Sequence, residues 1–209
     1  MQRALRGFRA TVKTLIDRVG SAGCLGATSP ILLVAAVALR AQGAGPIVFS
    51  QERIGRDGRP FRLYKLRTMR DADGPDGRPL PDAERITPLG RFLRASSIDE
   101  LPQLWNVVKG DMSLVGPRPL LPRYLPRYSA EQGRRHEVLP GITGWAQVNG
   151  RNALSWEEKF RLDVWYVDHW SLRLDAEIVV LTALRLVRPS GITSEGSATM
   201  PEFMGGAEP

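Results

Sequence analysis

Residues 19–39 (VGSAGCLGATSPILLVAAVAL) carry no charged side chain, and Arg18 and Arg40 close the two ends. Such a stretch, about 20 residues at 1.5 Å rise, is long enough to span a hydrocarbon core of about 30 Å as a helix. Three readings compete: a transmembrane helix, a signal peptide with a basic start at Arg3, Arg6, Arg9 and Lys13, or a helix that enters the membrane and leaves on the same side. The flanks discriminate between them. Arg3, Arg6, Arg9, Lys13 and Arg18 precede the run against one acid, Asp17. Arg40, Arg53, Arg56, Arg59, Arg62, Lys65, Arg67 and Arg70 follow it against Glu52 and Asp57. Positive charge marks the cytoplasmic side of a membrane segment, and here both ends carry it. Ser29-Pro30 sits near the centre. Proline removes a backbone donor and bends a helix, and a serine hydroxyl can satisfy the freed carbonyl. Each half would reach about 15 Å, half the hydrocarbon core. The expectation is a re-entrant helix broken at Ser29 and Pro30, with a proline-kinked span as its alternative.

The chain has 209 residues, 43% hydrophobic and 24% charged, which suits one ordinary domain plus a membrane element and excludes global disorder and fibrous repeats. Its one cysteine, Cys24, excludes a disulfide framework and a thiolate zinc site. A formal charge of +7 calls for an anionic partner: a phosphate ester, acidic lipid or nucleic acid.

After the apolar run, residues 47–49 and 61–66 are β-prone and bracket Asp57-Gly58, a tight-turn pair, which predicts a hairpin. Residues 71–82 read as a solvated loop whose acids lack calcium-loop spacing. The pattern is helical over 88–109, and Ser97 and Glu100 have capping-box spacing. Residues 155–169, with Trp156, Phe160, Val164 and Val167 on one face, and 174–187, ended by Pro189, are amphipathic helices. Flanking arginines would let them lie on a membrane surface, although a core face is the commoner explanation of such a stripe.

Chemistry concentrates at Asp99-Glu100. At a helix start, Asp99 would feel the positive end of the dipole and stay ionised, and phosphate is attracted to the same place. A carboxylate there serves as metal ligand, general base or nucleophile toward phosphorus. Arg91 and Arg94 precede the pair. Arg118 follows between Pro117 and Pro119, which restrict its backbone and leave a planar fork suited to a diphosphate. By itself this is also what a rigid surface turn looks like. Arg151 closes a stretch, residues 140–152, whose three glycines permit a loop to wrap a polar ligand. No Gly-x-Gly-x-x-Gly and no Walker loop is present, so bound phosphates must be held by arginine side chains and a divalent metal.

Read together, Lys13-Thr14-Leu15-Ile16-Asp17, Ser29-Pro30, Gly45-Pro46-Ile47-Val48-Phe49-Ser50-Gln51, Lys65-Leu66-Arg67-Thr68-Met69, Ser97-Ile98-Asp99-Glu100-Leu101-Pro102-Gln103-Leu104, Gly116-Pro117-Arg118-Pro119 and Pro140-Gly141-Ile142-Thr143-Gly144-Trp145 run in order over residues 11–190. In this the chain resembles the bacterial sugar transferase family, the small monotopic phosphoglycosyl transferases acting on polyprenyl phosphate. Two departures are mild: Thr14 where relatives often carry a second basic residue, and Leu66 where phenylalanine is usual. The resemblance implies an α+β, mainly helical fold, with residues 1–45 as the re-entrant membrane element, 46–190 as the catalytic domain with interfacial helices, and 191–209 as a tail. It implies transfer of a sugar 1-phosphate from a UDP-sugar to undecaprenyl or another polyprenyl phosphate, releasing UMP, as the first membrane step of exopolysaccharide, O-antigen or glycoprotein glycan synthesis. Carried onto this chain, Asp99 is the nucleophile that forms a phosphosugar ester, Glu100 supports metal or proton handling, and both hold Mg2+. Arg118 is expected on the transferred phosphate, with Lys65, Arg67, Arg94, Arg151, Asp163 and Tyr166 near the phosphates. The resemblance also implies the cytoplasmic face of a bacterial inner membrane, membrane lipid and downstream glycosyltransferases as partners, no nucleic acid, and room for a homodimer. The sugar stays unassigned. The rival reading is a membrane-anchored basic binding protein without catalysis.

Overall fold

The apolar run becomes part of a single helix, α1, over Gln2–Ala41 in a computed structural model that describes residues 2–43, 45–71, 80–150, 154–187 and 202–205. The chain stays helical across Pro30 rather than passing into a loop. Proline cannot donate to the carbonyl four residues back, that of Gly26. The Ser29 hydroxyl takes that carbonyl over, donating to it at 2.7 Å. Thr28 Oγ1 adds a bond to the Cys24 carbonyl at 2.7 Å. Such local bonds would keep the backbone satisfied in a hydrocarbon environment.

Both arms of α1 pack on the folded domain, and its middle does not. On the first arm Asp17 and Ser21 are buried. Ser113 Oγ donates to Asp17 at 2.6 Å, and Lys13 Nζ reaches Asp175 at 2.7 Å. On the second arm Ala35 and Leu39 join Leu66 and Leu93 in a common cluster. Residues 22–31 between them are exposed or half-buried, and Val19, Ile31, Leu33, Val34 and Val37 face outward. The segment Gly7–Ala41 is long and apolar enough to cross a membrane.

The hairpin forms as its turn chemistry dictates. Strands β1 (Val48–Ile54) and β2 (Pro60–Leu66) pair antiparallel, from Val48↔Leu66 to Ile54↔Pro60. Asp57 (φ 57°) and Gly58 (φ 72°) supply the left-handed turn residues. Alternation along β2 sends Leu63 to Val107 and Met112, and Leu66 to Leu93 and α1. Each fully buried leucine contributes roughly 2 kcal/mol.

After α2 (Asp82–Arg85), the expected helix over 88–109 divides into three. These are α3 (Pro88–Ala95), a 3-10 turn (Ile98–Glu100) and α4 (Gln103–Lys109). Ser97 adopts φ 57° and makes no side-chain cap, so the capping box expected at Ser97 and Glu100 does not form. The Glu100 carboxylate is engaged elsewhere, as described below. The reciprocal box forms instead at Ser155 and Glu158, which start α7 (Trp156–His169), once α5 (Ala130–Gly133) and α6 (Trp145–Val148) have been passed. Helix α8 (Leu172–Val187) follows, with Val179, Val180, Leu184 and Leu186 exposed and Ile178 fully buried. Pro189, expected to end this helix, and residues 72–79 of the expected loop lie outside the described residues.

A second, parallel pair, β3 (Ser113–Val115) with β4 (Gly141–Thr143), has no counterpart in the sequence reading. Around it Val115, Val148, Tyr166, Leu174 and Ile178 form a core cluster. Fully buried Asn106 ties α4 to β2, donating to the Arg62 carbonyl at 2.7 Å and accepting from Tyr64 N at 3.2 Å. From the tail, Phe203 is buried among Tyr124, Tyr128, Trp156 and Phe160. The architecture is therefore mainly helical with two small sheets.

Candidate active site

The 3-10 turn after α3 fixes the acidic pair. Ser97 in the left-handed region reverses the chain as α3 ends, and Pro102 forms the cap before α4. The three-residue turn points Asp99 and Glu100 into a cleft of about 910 Å³ between the hairpin, the segment around Arg118, β4 to α6, and α7. Nine cationic and four acidic side chains line this cleft. It is built for anions.

The two carboxylates differ in every respect. Lys65 Nζ and Arg118 Nη2 both converge on Glu100 Oε1, at 2.6 and 2.8 Å. Burial alone would push Glu100 up, but Arg118 and Lys65 override it and hold the carboxyl well below the usual range. In return Glu100 pushes the Arg118 guanidinium up, whereas burial and Arg118 push the Lys65 ammonium down. Asp99 is 6% exposed and accepts no hydrogen bond among the described residues. Burial first, and the Glu100 charge second, raise it to about 6, against the pull of Lys65, Arg94 and Arg118. The expected help from a helix dipole is thus corrected, since a three-residue turn has little dipole and desolvation dominates, although a carboxyl at about 6 is still mostly ionised at neutral pH.

The remaining expected residues divide by position. Arg94, in the last turn of α3, donates to Thr68 Oγ1 at 2.9 Å and lies close enough to Asp99 to pull its pKa down. Arg67 lines the cleft but is held by the Pro46 carbonyl at 3.0 Å and by Asp71 at 2.8 Å. Asp163 sits beneath the wall, 4% exposed, bonded to Arg135 at 2.7 and 3.1 Å. Tyr166 is away from the cleft lining, its one hydroxyl proton shared between Asp175 at 2.6 Å and the Val115 carbonyl at 3.1 Å. Burial, with Asp175 behind it, keeps that phenol neutral by pushing it far up. Arg151 lies outside the described residues. Ser29 and Pro30 lie in α1 and do not line the cleft.

The glycines expected to wrap a ligand do something else. A Cβ on Gly141 would collide with the backbone nitrogen of Gly116, and one on Gly144 with its carbonyl. They allow β4 to run against the backbone that leads into Arg118, where Gly116 N donates to the Thr143 carbonyl at 2.9 Å and Gly141 N to that of Pro117 at 3.0 Å. The Pro-Arg-Pro turn is thereby fastened on one side. Arg135 fastens the other, donating to the Arg118 carbonyl at 2.7 Å.

Sequence reasoning missed Arg135, and it missed the partners of Lys13. Arg135 is 3% exposed and its carboxylate partner lies 28 residues away, so no local spacing signals the pair. Lys13 and Asp17 do have the i, i+4 spacing, at 3.4 Å, but their stronger bonds go to Asp175 and Ser113. These bonds lock the start of α1 to β3 and α8.

For a divalent ion, no group of three or more His, Cys, Asp or Glu side chains converges among the described residues. Magnesium usually needs only one or two carboxylates plus substrate phosphates. Asp99 leaves both oxygens free, and both bonds to Glu100 fall on Oε1, leaving Oε2. The donor set fits an ion completed by bound phosphates.

Comparison with known proteins agrees with this cleft. The sequence model described as "Bacterial sugar transferase" matches residues 8–189. The "Uncharacterized sugar transferase EpsL" of Bacillus subtilis (strain 168) is 52% identical over 197 residues, 94% of this chain and 98% of that protein. A protein of Caulobacter vibrioides named "UDP-glucose:undecaprenyl-phosphate glucose-1-phosphate transferase" is 43% identical over 195 residues, 88% of this chain and 71% of its own. An Escherichia coli (strain K12) protein of the same name is 37% identical over 191 residues, 87% of this chain but 41% of its own length. With its acid pair, its cationic cleft and a family match over nearly its whole length, the chain belongs to the bacterial sugar transferase family and is a phosphoglycosyl transferase.

Proposed function

We propose that the protein moves a sugar 1-phosphate from a UDP-sugar to a polyprenyl phosphate in two displacements through Asp99. The observation that carries this reading is the asymmetry of the acid pair: Glu100 is paired through Oε1 with Lys65 and Arg118, and Asp99 is buried without a hydrogen bond among the described residues. In the first displacement an Asp99 carboxylate oxygen attacks the sugar-bearing phosphorus. The bond from that phosphorus to the bridging oxygen breaks, and UMP leaves with the electron pair. In the second, a phosphate oxygen of the polyprenyl phosphate attacks the same phosphorus, the acyl phosphate bond breaks, and Asp99 is released as a carboxylate. Using one carboxylate twice avoids holding two polyanions side by side in one cleft. Arg118, steered by Glu100 and fixed through its backbone, orients the phosphate, and Lys65 and Arg94 offset the charge that develops on it. Mg2+ held by Asp99 and Glu100 would neutralise diphosphate charge and favour departure of UMP.

Relatives carrying the names above make UDP-glucose the first donor to test and undecaprenyl phosphate the first acceptor. UMP release should require the nucleotide sugar, the lipid phosphate and magnesium, and excess EDTA should remove at least about 90% of it, since phosphoryl transfer leans on such charge neutralisation. A protein that binds the lipid or nucleotide and releases no UMP over a panel of UDP-sugars would instead be the non-catalytic binding protein.

The reading includes a re-entrant α1, with the protein on the cytoplasmic face of the membrane. Support comes from the packing of both arms against one domain around an exposed apolar middle, and from basic residues on both flanks. With Cys24 replaced by serine, single cysteines at positions 5 and 45 should react with an impermeant maleimide from the same side of a membrane vesicle. Reaction from opposite sides means a through-spanning helix.

A further inference from the structure

Arg53 stands in the wall of the same cleft, and the reaction as described gives it no part. It projects from the end of β1, opposite Phe61 in the hairpin register. Its Nη2 donates to Gln51 Oε1 at 2.7 Å, two residues back on the same strand face. Its Nε is buried and finds no acceptor among the described residues. No carboxylate of the described residues lies within ion-pair distance of it, in contrast to Lys65 and Arg118, which share Glu100. Its charged neighbours are Arg118 and Arg123, with Glu100 behind them. Burial, then Arg118, lowers the guanidinium to about 10. A desolvated cation beside other cations is unfavourable until an anion joins them.

Lys65, Arg94 and Arg118 pull on the Asp99 carboxyl. Arg53 adjoins Arg118: the next residue, Ile54, donates its N–H to the Leu120 carbonyl at 3.0 Å, two residues past Arg118. A diphosphate whose sugar-bearing phosphorus is in line with Asp99 has its second phosphate one bridging oxygen further on, where Arg118 gives way to Arg53.

We propose that Arg53, braced by Gln51 and acting with Arg118, is the binding site for the departing nucleotide's phosphate. This rests on the two-step reading above and adds to it a residue for the leaving group. The lipid phosphate attacks the same phosphorus from the side opposite Asp99, the place the UMP phosphate has vacated, so Arg53 meets the two phosphates in turn.

Full-length protein in detergent, wild type and Arg53→Gln, is titrated with UMP by calorimetry, and KM is measured for the UDP-sugar and for polyprenyl phosphate. Loss of one charge-assisted phosphate contact should weaken UMP binding about ten- to a hundredfold. KM for the UDP-sugar should rise with it, and KM for the polyprenyl phosphate, whose phosphate takes the same place in the second step, should rise as well. Arg53→Lys, which keeps the charge without the fork, should recover part of the affinity. Should Arg53→Gln fail to fold, Gln51→Ala serves: it leaves the guanidinium but removes its brace, and should weaken UMP by about threefold, the smaller effect expected of one neutral hydrogen bond. Unchanged UMP affinity in a folded variant overturns the proposal, and so does an unchanged KM for the UDP-sugar. Wild-type protein that binds no UMP at all counts against the proposed reaction itself, a different outcome from a wild type that binds UMP and an Arg53 variant that binds it equally well.

Discussion

Asp99→Asn should abolish transfer and at the same time make the protein harder to unfold. Loss of a covalent nucleophile typically removes at least about three orders of magnitude of rate. The amide keeps the shape of the side chain and cannot form the ester, so residual transfer should be near background. Stability moves the other way because of the carboxyl's surroundings. Its folded-state pKa is raised from 3.8 to about 6, by burial and then by Glu100. A carboxyl whose pKa is raised on folding binds its proton more tightly in the folded state. Folding therefore loses stability as pH climbs from about 4 to about 6, and the loss is complete above that. Two units correspond to about 3 kcal/mol, of which about 2 kcal/mol is a fair expectation after relaxation. Asparagine never ionises and escapes the loss. Thermal unfolding in detergent at pH 7.5 should rise by roughly 5 °C in the variant, and the difference should vanish near pH 4. A purely structural aspartate would show the reverse sign.

Breaking the buried pair under the Pro-Arg-Pro turn should be the most destabilising single change outside the hydrophobic clusters. Arg135→Met takes from buried Asp163 its hydrogen-bonded counter-charge and leaves only the weaker pull of Lys159, which costs about 3–5 kcal/mol. Asp163 is already pushed up by burial against the pull of Arg135, so it will take a proton once the arginine is gone. The double change Arg135→Met with Asp163→Leu should restore most of the melting temperature, since a well-packed apolar pair often equals a buried salt bridge. Turnover should not return with it. Arg135 also holds the Arg118 carbonyl at 2.7 Å, and a methionine holds nothing. If the double variant regains both stability and full activity, Arg135 has no part in positioning Arg118.

The sequence made some of this legible and hid the rest for identifiable reasons. The hairpin was readable because Asp57-Gly58 must supply positive φ between two alternating runs. Helix α7 was readable because Trp156, Phe160 and Val164 recur at helical spacing. At Ser97 the same local logic failed. Serine with a glutamate three residues on looks alike at Ser97 and Ser155, but only Ser155 finds its glutamate free. Glu100 is drawn off by Lys65, 35 residues earlier, and by Arg118, 18 residues later, charges that no window of helical length contains. The β3–β4 pair is equally invisible: three-residue parallel strands have no periodicity to read, and what they need is the glycine at Gly116, Gly141 and Gly144 that lets two backbones touch. The acid pair and Arg118 were legible by residue type, and the division of labour between Asp99 and Glu100 emerged only from their surroundings.

The central claim is that Asp99 carries the phosphosugar between substrates, and mass spectrometry of the trapped, digested protein tests it most directly. Wild-type protein is mixed with a UDP-sugar and magnesium in the absence of any polyprenyl phosphate, quenched in acid within seconds, and digested. The account predicts one added sugar phosphate on the peptide that contains Asp99, absent from Asp99→Asn and chased away when polyprenyl phosphate is added before the quench. Transfer at full rate with no adduct at any time, or an adduct on a different residue, would contradict it.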